Sequence, residues 1–310
     1  MIQYIINALA PVIFLVVLGW IAGIKGIIDK SNRHGFSSYV INFSFPCLLF
    51  VVITNTNPTH FDNPHLILLF LLALMGMYLL TILLYKILYK ETISELGQSA
   101  FLGSFPDMAF MGVPIFISLF GEKSLILIAI GNIISSLFMI PLTSILLGLK
   151  PAKANNFTLY LKNLTLAFKK PLVIAPLLGV LSAYFHIHYP KIIISSLTLI
   201  GDTTSGISLF TLGLIISSYK IIYKKRIFLT VAFKNLVHPA LMLVLVVLFH
   251  FSGLTAQESI LLCAMPTATM CTMFALKYNV LVEESVAVTI TSTLFAVITL
   301  PVWMEIAHHF

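Results

Sequence analysis

GSFPDMAFMGVPIF, residues Gly103 to Phe116, is the stretch that decides the fold of this chain. It lies inside an apolar run long enough to cross a membrane, yet it contains two prolines, two glycines and an aspartate. Proline lacks a backbone donor and its ring clashes with the carbonyl four residues earlier, so a helix kinks or unwinds there. We therefore expect a membrane helix that is interrupted at Pro106.

The composition is typical of an integral membrane protein. Of the 310 residues, 59% are hydrophobic and only 9% are charged, whereas soluble domains carry about 25% charged residues. Apolar segments take up nearly the whole chain, so we expect no separate soluble domain. The three cysteines lie within apolar segments and lack the spacing of a metal site.

Length and hydropathy predict ten membrane-spanning helices, because one span needs about 20 apolar residues. The predicted spans, numbered 1 to 10, are 3–24, 35–54, 65–89, 96–119, 124–149, 168–186, 192–218, 227–250, 256–277 and 282–307. The predicted fold class is an all-α membrane protein.

Basic residues are distributed unequally among the connections between spans. The odd-numbered connections and adjoining span ends hold fifteen lysines and arginines, whereas the even-numbered connections hold only Lys123 and Lys191. By the positive-inside rule the odd connections are cytoplasmic, so both termini lie outside. The net charge of +7 is thus spread over five loops that face an anionic leaflet. No single basic patch remains to bind nucleic acid.

The two halves of the sequence resemble each other at a constant offset of 160 positions. The matched pairs are Pro11 and Pro171, Gly19 and Gly179, Leu49-Phe50 and Leu209-Phe210, Pro106 and Pro266, and Pro141 and Pro301. Each half has five spans, an odd number, so the second half enters the membrane inverted, as in many secondary transporters. We expect residues 1–150 to form the first repeat, 151–167 a cytoplasmic connecting loop, and 168–310 the second repeat.

Pro106 in span 4 and Pro266 in span 9 lie at matched depth near the middle of the membrane. Unsatisfied backbone is tolerated there only inside protein or beside a polar cavity. We therefore expect the two broken helices to cross at the centre, where the positive ends of the following half-helices suit an anion. The alternative is a pair of structural kinks in a passive membrane protein.

Six segments together resemble the auxin efflux carrier family along essentially the whole chain. They are GSFPDMAFMGVPIFISLFG, AMPTATMCTMFALKY, LAPVIFLVVLGWIAGIKGII, YVINFSFPCLLF, KKPLVIAPLLGVL and VTITSTLFAVITLP. The family includes plant auxin exporters and bacterial permeases for malonate or malate. The resemblance implies a scaffold domain of spans 1, 2, 6 and 7 and a transport domain of spans 3–5 and 8–10. It further implies a carboxylate site at the crossing, elevator-like movement, and a homodimer through the scaffold.

Two positions depart from the family pattern. Asp107 stands where members usually carry asparagine, and Gly206 stands where a proline is common. A carboxylate at the crossing can carry a proton, coordinate a cation or repel an anionic substrate. The family's carboxylate transport therefore does not carry over directly to a site that contains Asp107.

Four ionisable residues lie well inside predicted spans, away from their ends, where charge is costly and usually functional. These candidates for ion coupling are Asp107, Asp202, Lys234 and His238. Asp107 would also serve as an N-cap of the second half-helix, and Asp202 would cap or bond a neighbouring helix. Lys234 either snorkels to the cytoplasmic surface or faces inward towards Asp107 or Asp202. His238 is a proton relay or a packed neutral ring.

Neutral polar residues around the breaks complete the predicted substrate site. The substrate-binding candidates are Ser104, Pro106, Asp107, Pro266, Thr267, Thr269, Asn42, Ser44 and Ser205, with Thr203, Thr204 and Thr272 nearby. Hydroxyls and freed carbonyls can bind a carboxylate or a cation, including sodium near Asp107 and Thr267. Singly, each hydroxyl more often bonds its own helix. Glu91, Glu95, Glu283 and Glu284 lie at loop edges and are expected to be solvated.

These patterns predict a secondary transporter in the inner membrane that moves a small organic anion, coupled to protons or sodium. A membrane sensor that binds the anion without moving it is the alternative. No nucleotide-binding, zinc-protease or serine-hydrolase motif occurs, so we expect neither an enzyme nor a cofactor. The sequence leaves open which anion is moved, in which direction, and with which ion.

Overall fold

The computed structural model describes residues 2–29, 32–55, 63–121, 124–148, 171–217 and 224–310. Within these ranges the chain is helical and forms no β-strand beyond an isolated bridge between Pro106 and Thr267. The predicted all-α class is therefore confirmed for the described residues. The predicted connecting loop, 151–167, lies outside them.

Fifteen α-helical segments are numbered here in chain order within the described ranges. They are α1 Ile2–Ile24, α2 Arg33–Tyr39, α3 Phe45–Thr54, α4 Pro64–Leu88, α5 Ile93–Ser104, α6 Val113–Phe120, α7 Leu125–Ile134, α8 Ile140–Gly148, α9 Pro171–Tyr184, α10 Lys191–Ile216, α11 Lys225–Ala232, α12 His238–Leu248, α13 Gly253–Ala264, α14 Thr269–Tyr278 and α15 Val282–Ala307.

Six stretches of the described chain are long and apolar enough to cross a membrane. They are His34–Thr54, Pro64–Leu88, Ile126–Gly148, Lys191–Ile216, Lys225–Leu248 and Val282–Ala307. They correspond to predicted spans 2, 3, 5, 7, 8 and 10. Predicted spans 4 and 9 are each divided into shorter helices, α5 with α6 and α13 with α14, none of which reaches the roughly 20 residues of a full span.

In the described part of the chain, four π-helical turns interrupt the helices, and each ends two residues before a proline. The turns are Val40–Ser44, Met108–Gly112, Ser135–Met139 and Phe233–Val237, and the prolines are Pro46, Pro114, Pro141 and Pro239. A proline cannot donate to the carbonyl four residues earlier and crowds it, so the turn before it widens. Such widened turns occur often at functional sites, and two of these four contain predicted site residues.

Helix α5 begins at a capping box. The Thr92 hydroxyl accepts a hydrogen bond from the Glu95 amide (3.3 Å), and the Glu95 carboxylate accepts one from the Thr92 amide (2.8 Å). This pairing satisfies two amides at the start of the helix. Glu95 is half-buried, although its position at a loop edge predicts a solvated side chain.

Helices α1 and α10 pack with their backbones in direct contact. A Cβ atom added at Gly19 would lie 2.0 Å from the Phe210 carbonyl oxygen, and one at Gly213 would lie 2.0 Å from the Val16 carbonyl oxygen. Small residues allow this approach in membrane helices, where packing rather than the hydrophobic effect holds helices together. Helix α3 packs on α9 and α10 beside this seam.

A second group of helices surrounds the two interrupted segments. Helix α4 packs on α5 and α12, helix α13 packs on α12 and α15, and α5 also packs on α8. The residues of α13 and α14 are almost all buried, from Ser259 to Leu276. The breaks thus lie in the interior of this group.

An ion-pair cluster around Arg226 joins the end of α4 and the start of α5 to the starts of α11 and α15. Its guanidinium pairs with Glu91 and, at 3.2 Å, with Glu284, and it lies over the rings of Tyr85 and Tyr89. The side chains of Glu91 and Glu284 are only 4% and 12% exposed, so the expectation that they are solvated is wrong. Burial raises the pKa of the Glu91 carboxyl, and the Arg226 charge opposes that rise.

Candidate functional site

The two interrupted segments pair with each other through their backbones. Helix α5 ends at Ser104 and α13 ends at Ala264. Between these ends and the following helical turns, the Asp107 amide donates to the Pro266 carbonyl (2.8 Å) and the Ala268 amide donates to the Phe105 carbonyl (3.0 Å). Two short extended stretches therefore lie antiparallel, and each satisfies backbone groups that the other proline-containing stretch leaves without a helical partner.

The carboxyl end of α5 is completed by neutral groups. The Thr267 hydroxyl, which comes from the other stretch, donates to the Leu102 carbonyl at 3.0 Å. The Ser104 hydroxyl donates to the Ala100 carbonyl of its own helix at 2.6 Å, as isolated hydroxyls in helices often do. Both side chains are fully buried. Ser104 and Thr267 thus lie at the break, and both hydroxyl groups already donate hydrogen bonds to backbone carbonyls.

At the carboxyl end of α13, the donor to the last carbonyls is instead a cation. The Lys234 ammonium donates to the carbonyl oxygens of Cys263 (2.8 Å) and Met265 (2.6 Å). Lys234 is fully buried, so the alternative that it snorkels to the surface is wrong. It lies in the π-helical turn Phe233–Val237, which directs its side chain to the break.

Asp107 lies at the break and is 3% exposed. Its carboxylate and the Lys234 ammonium attract each other electrostatically. Its carbonyl oxygen accepts a hydrogen bond from the Gly112 amide at 2.9 Å, which closes the π-helical turn after the break. The structure therefore brings two of the four predicted ionisable residues together.

A polar network that was not predicted from the sequence supports the second stretch. The Thr267 amide donates to the Ser292 hydroxyl (2.9 Å), which donates to the Asn235 side-chain oxygen (2.6 Å). The Asn235 carbonyl, which lacks a helical donor because residue 239 is proline, accepts from the Trp303 indole (2.9 Å). The signal in the sequence was an asparagine four residues before a proline within a span.

Gln98 forms another contact that was missed. Its amide nitrogen donates to the Cys271 carbonyl (2.9 Å) and to the Ser285 hydroxyl (3.0 Å), which connects α5 to α14 and α15. Its side-chain oxygen is buried without a hydrogen-bond partner among the described residues. A glutamine inside a predicted span was a visible signal, because a polar amide in a membrane helix usually bonds another helix.

Three hydroxyls of the predicted substrate site are buried without a hydrogen-bond partner within the described chain. They belong to Ser44, Thr204 and Thr269. Ser44 and Thr204 are 160 positions apart, so they occupy equivalent places in the two halves of the sequence. Thr269 begins α14, and its neighbour Met270 lies 4.0 Å from Ser208, one helical turn after Thr204. Buried hydroxyls without partners are rare and suit the binding of a polar ligand.

Other predicted residues lie away from this cluster. The Asn42 side chain accepts a hydrogen bond from Lys277 (2.8 Å), at the far end of α14 from the break. Asp202 is exposed near the middle of α10, next to Thr203, which bonds Tyr39 at 3.2 Å. Ser205 is half-buried on the same helix. The structure does not bring these residues to Asp107.

His238 is fully buried one helical turn after Lys234, and neither ring nitrogen has a hydrogen-bond partner among the described residues. A neutral ring held by packing fits this environment, because a buried imidazolium without a partner is costly. Within the same residues, no cluster of three or more His, Cys, Asp or Glu side chains could hold a metal ion.

A cavity of about 410 Å³ lies beside α13. It lies between the ends of α6 and α15 and is lined in part by Phe120, Gln257, Leu261 and Glu305. Leu261 precedes Met265 by one helical turn, so the lining of this cavity reaches to within one turn of the break.

The sequence matches the family model of membrane transport proteins over residues 4–304. The chain belongs to this family, the auxin efflux carriers. The resemblance found in the six sequence segments is therefore confirmed. Membership makes the protein a multi-pass membrane transporter, in agreement with the six apolar helices.

Relatives within the auxin efflux carrier family come from distant organisms. The chain is 25% identical to the uncharacterized transporter YfdV of Escherichia coli K12, over 99% of both chains. It is 23% identical to the uncharacterized transporter MJ1031 of Methanocaldococcus jannaschii, over 94% of this chain and 95% of that one. It is 22% identical to auxin efflux carrier component 8 of Arabidopsis thaliana, over 90% of both chains.

Proposed function

We propose that this transporter moves a small organic anion, a mono- or dicarboxylate such as malonate or malate, through a site at the paired breaks. The observation that carries the proposal is the backbone pairing of the two interrupted segments, with the buried, unpartnered hydroxyl of Thr269 directly after the second one. The half-helices that follow the breaks direct positive dipole ends towards this region. Hydroxyls and amides there would bind the carboxylate oxygens.

The ten-span inverted repeat, with spans 4 and 9 crossing at mid-membrane, is the architecture that we infer for this site. Its support is the constant offset of 160 positions, which relates Pro106 to Pro266 and Ser44 to Thr204. Equivalent residues from two inverted halves would then meet at one site, as in other transporters built from inverted repeats.

Alternating access would come from elevator-like movement of one helix group against the other. Helices α1, α3, α9 and α10 form one closely packed group, which corresponds to the predicted scaffold spans 1, 2, 6 and 7. The group that surrounds the breaks would be the moving transport domain, of spans 3–5 and 8–10. The glycine seam between α1 and α10 supports the assignment of the fixed part.

Asp107 and Lys234 are the proposed centre of coupling to protons or sodium, with Asp202 and His238 as further candidates. The electrostatic attraction between the Asp107 carboxylate and the Lys234 ammonium supports this role, because protonation of either group would change the charge of the site. Substrate binding and ion binding would then affect each other through a shared charge.

The protein is proposed to lie in the inner membrane with both termini outside, following the charge asymmetry of the connections. It is also proposed to form a homodimer through the predicted scaffold. Asp202 is exposed near the middle of α10, where contact with lipid would be costly. A second copy that covers this face would remove that cost, and native mass spectrometry of the protein in detergent measures the copy number.

Flux of labelled malonate and malate into proteoliposomes tests the transport proposal. We expect saturable uptake that requires the protein and is lost in a Ser44→Ala, Thr269→Ala double variant. Ser259→Ala is the matched control, because its hydroxyl bonds its own helix at Thr255. Binding of a carboxylate without flux would refute transport and favour the alternative, a membrane sensor that retains the carrier fold.

A further inference from the structure

The Lys234 ammonium occupies a position that is suited to a free metal cation. It lies 2.8 Å from the Cys263 carbonyl oxygen and 2.6 Å from the Met265 carbonyl oxygen, immediately before the Pro266 break. Carbonyls at the unwound end of a half-helix are the groups with which many secondary transporters coordinate sodium. A lysine ammonium is a compact point charge with three donors and can satisfy the same oxygens.

A positive charge at the end of α13 has a physical cause, because this helix ends in the protein interior. The last carbonyls of α13 carry the negative end of its dipole, and the Thr267 amide, which would continue the helix to Cys263, donates to Ser292 instead. Without Lys234, the Cys263 and Met265 oxygens would face a buried space with no donor that the structure shows. Buried carbonyls without a donor are costly.

The first half of the sequence has no equivalent cation. The residue 160 positions before Lys234 is Leu74, which is fully buried. The end of α5 is satisfied by the Thr267 hydroxyl and the Ala268 amide, which are both neutral. The lysine is therefore specific to the break in span 9, where it also attracts the Asp107 carboxylate.

We propose that Lys234 is a built-in cation that replaces a coupling sodium ion at the break, so that the protein binds its anion without sodium. Carboxylate binding at the break is the proposed function on which this inference rests. The inference argues against sodium as the coupling ion of that site, because a sodium ion near Asp107 and Thr267 would have to displace the ammonium from its carbonyls. Lys234 is a positioning residue, since it acts through the carbonyls of the break.

Thermal unfolding of the purified full chain tests this directly, without substrate. We compare Tm in sodium chloride and in choline chloride at equal ionic strength. Because the cation position is filled, we expect equal Tm values for the wild type. A sodium-induced rise in Tm of about 2 °C or more would overturn the proposal, since it would reveal a vacant site for sodium.

Lys234→Ala is the informative variant, and Lys224→Ala is its control. Lys234→Ala exposes the two carbonyls, so we expect sodium to raise the Tm of this variant relative to choline. Lys224→Ala removes an exposed lysine of the same helix group that pairs with Glu284, and its Tm should be as insensitive to sodium as that of the wild type. A folded Lys234→Ala protein that does not respond to sodium would refute the assigned role. If this variant does not fold, the wild-type comparison still decides the question.

The same measurement with added malonate separates this inference from the proposed function. Stabilisation by malonate that is equal in sodium and choline supports both. Stabilisation only in sodium refutes the built-in cation and leaves carboxylate binding intact. If no carboxylate stabilises the protein or is transported, the proposed function fails, whereas the sodium response of Lys234→Ala still reports on the cation position.

Discussion

The backbone amide of Asp107 donates a hydrogen bond of 2.8 Å to the carbonyl oxygen of Pro266. This bond joins positions that are 159 residues apart in the chain. It replaces helical hydrogen bonds that both prolines prevent. The two proline-interrupted segments thus stabilise each other, and their pairing fixes the positions of the neighbouring side chains.

Asp107→Asn should remove the pH dependence of transport while leaving the fold intact. Asparagine has nearly the same shape, and the hydrogen bonds of residue 107 that hold the break use its backbone atoms. The measurement is the initial rate of carboxylate uptake across a pH series, with Asp29→Asn, an exposed loop position, as the control. An unchanged pH profile in Asp107→Asn would remove this carboxyl group from the coupling mechanism.

Ser44→Ala and Thr269→Ala should weaken substrate binding without lowering stability. Neither hydroxyl has a hydrogen-bond partner in the described chain, so its loss costs the folded protein nothing that the structure shows. A lost hydrogen bond to substrate of about 1 kcal/mol corresponds to about a fivefold rise in Kd. Calorimetric titration measures Kd and thermal unfolding measures Tm; a lower Tm at unchanged Kd would contradict the assignment.

Thr267→Val should destabilise the break. Valine keeps the shape, but the Leu102 carbonyl loses its donor in the protein interior, which costs about 1–3 kcal/mol. Thr293→Val provides the comparison, because its half-buried hydroxyl bonds the Thr289 carbonyl of its own helix. Apparent Tm in detergent checks the difference, and equal Tm values for the two variants would show that the contact between the stretches contributes little.

Arg226→Ala should destabilise the protein by about 3 kcal/mol, since it leaves the Glu91 carboxylate nearly buried without its charge partner. Lys224→Ala should cost less than about 1 kcal/mol, because the Lys224 side chain is 58% exposed and its pairing with Glu284 is screened. Thermal unfolding of both variants side by side measures the contrast. Similar losses would mean that burial of Glu91 does not decide the strength of this cluster.

Gly213→Ala should disrupt the contact between α1 and α10. The new Cβ would lie 2.0 Å from the Val16 carbonyl oxygen, and overpacking of this kind costs about 1–3 kcal/mol or more. Gly206→Ala on the same helix is the matched control: nothing lies within 4 Å of its Cβ position, and alanine favours a helix. The yield of monodisperse protein and Tm should fall for the first variant only.

The positions of the breaks could be predicted because their cause is local. Pro106 and Pro266 act on their own helices, so the interruption follows from the sequence around each of them. The partners of Lys234 could not be predicted in this way, since Cys263 and Met265 belong to a different helix and offer only backbone oxygens. The same holds for Glu91, whose burial depends on Arg226, 135 positions later in the chain.

Some of the residues that were expected to act together lie together in the structure, and others do not. Asp107 and Lys234 lie together because the break and a proline-widened turn direct them to one place. Asn42 and Asp202 are 160 positions apart and are paired by the predicted repeat, but Lys277 bonds the first and the second is exposed. Sequence equivalence predicts the helix and the depth of a residue, whereas the direction of its side chain depends on neighbours that the sequence does not reveal.

The backbones of α1 and α10 interlock at Gly19 and Gly213, with no side chain between them to deform. Sliding one helix along the other by even one residue would press an ordinary side chain against a carbonyl oxygen. The pair therefore behaves as a single rod, and a gearing motion between these two helices is sterically forbidden. Any movement of helices against each other therefore has to take place at contacts other than this one.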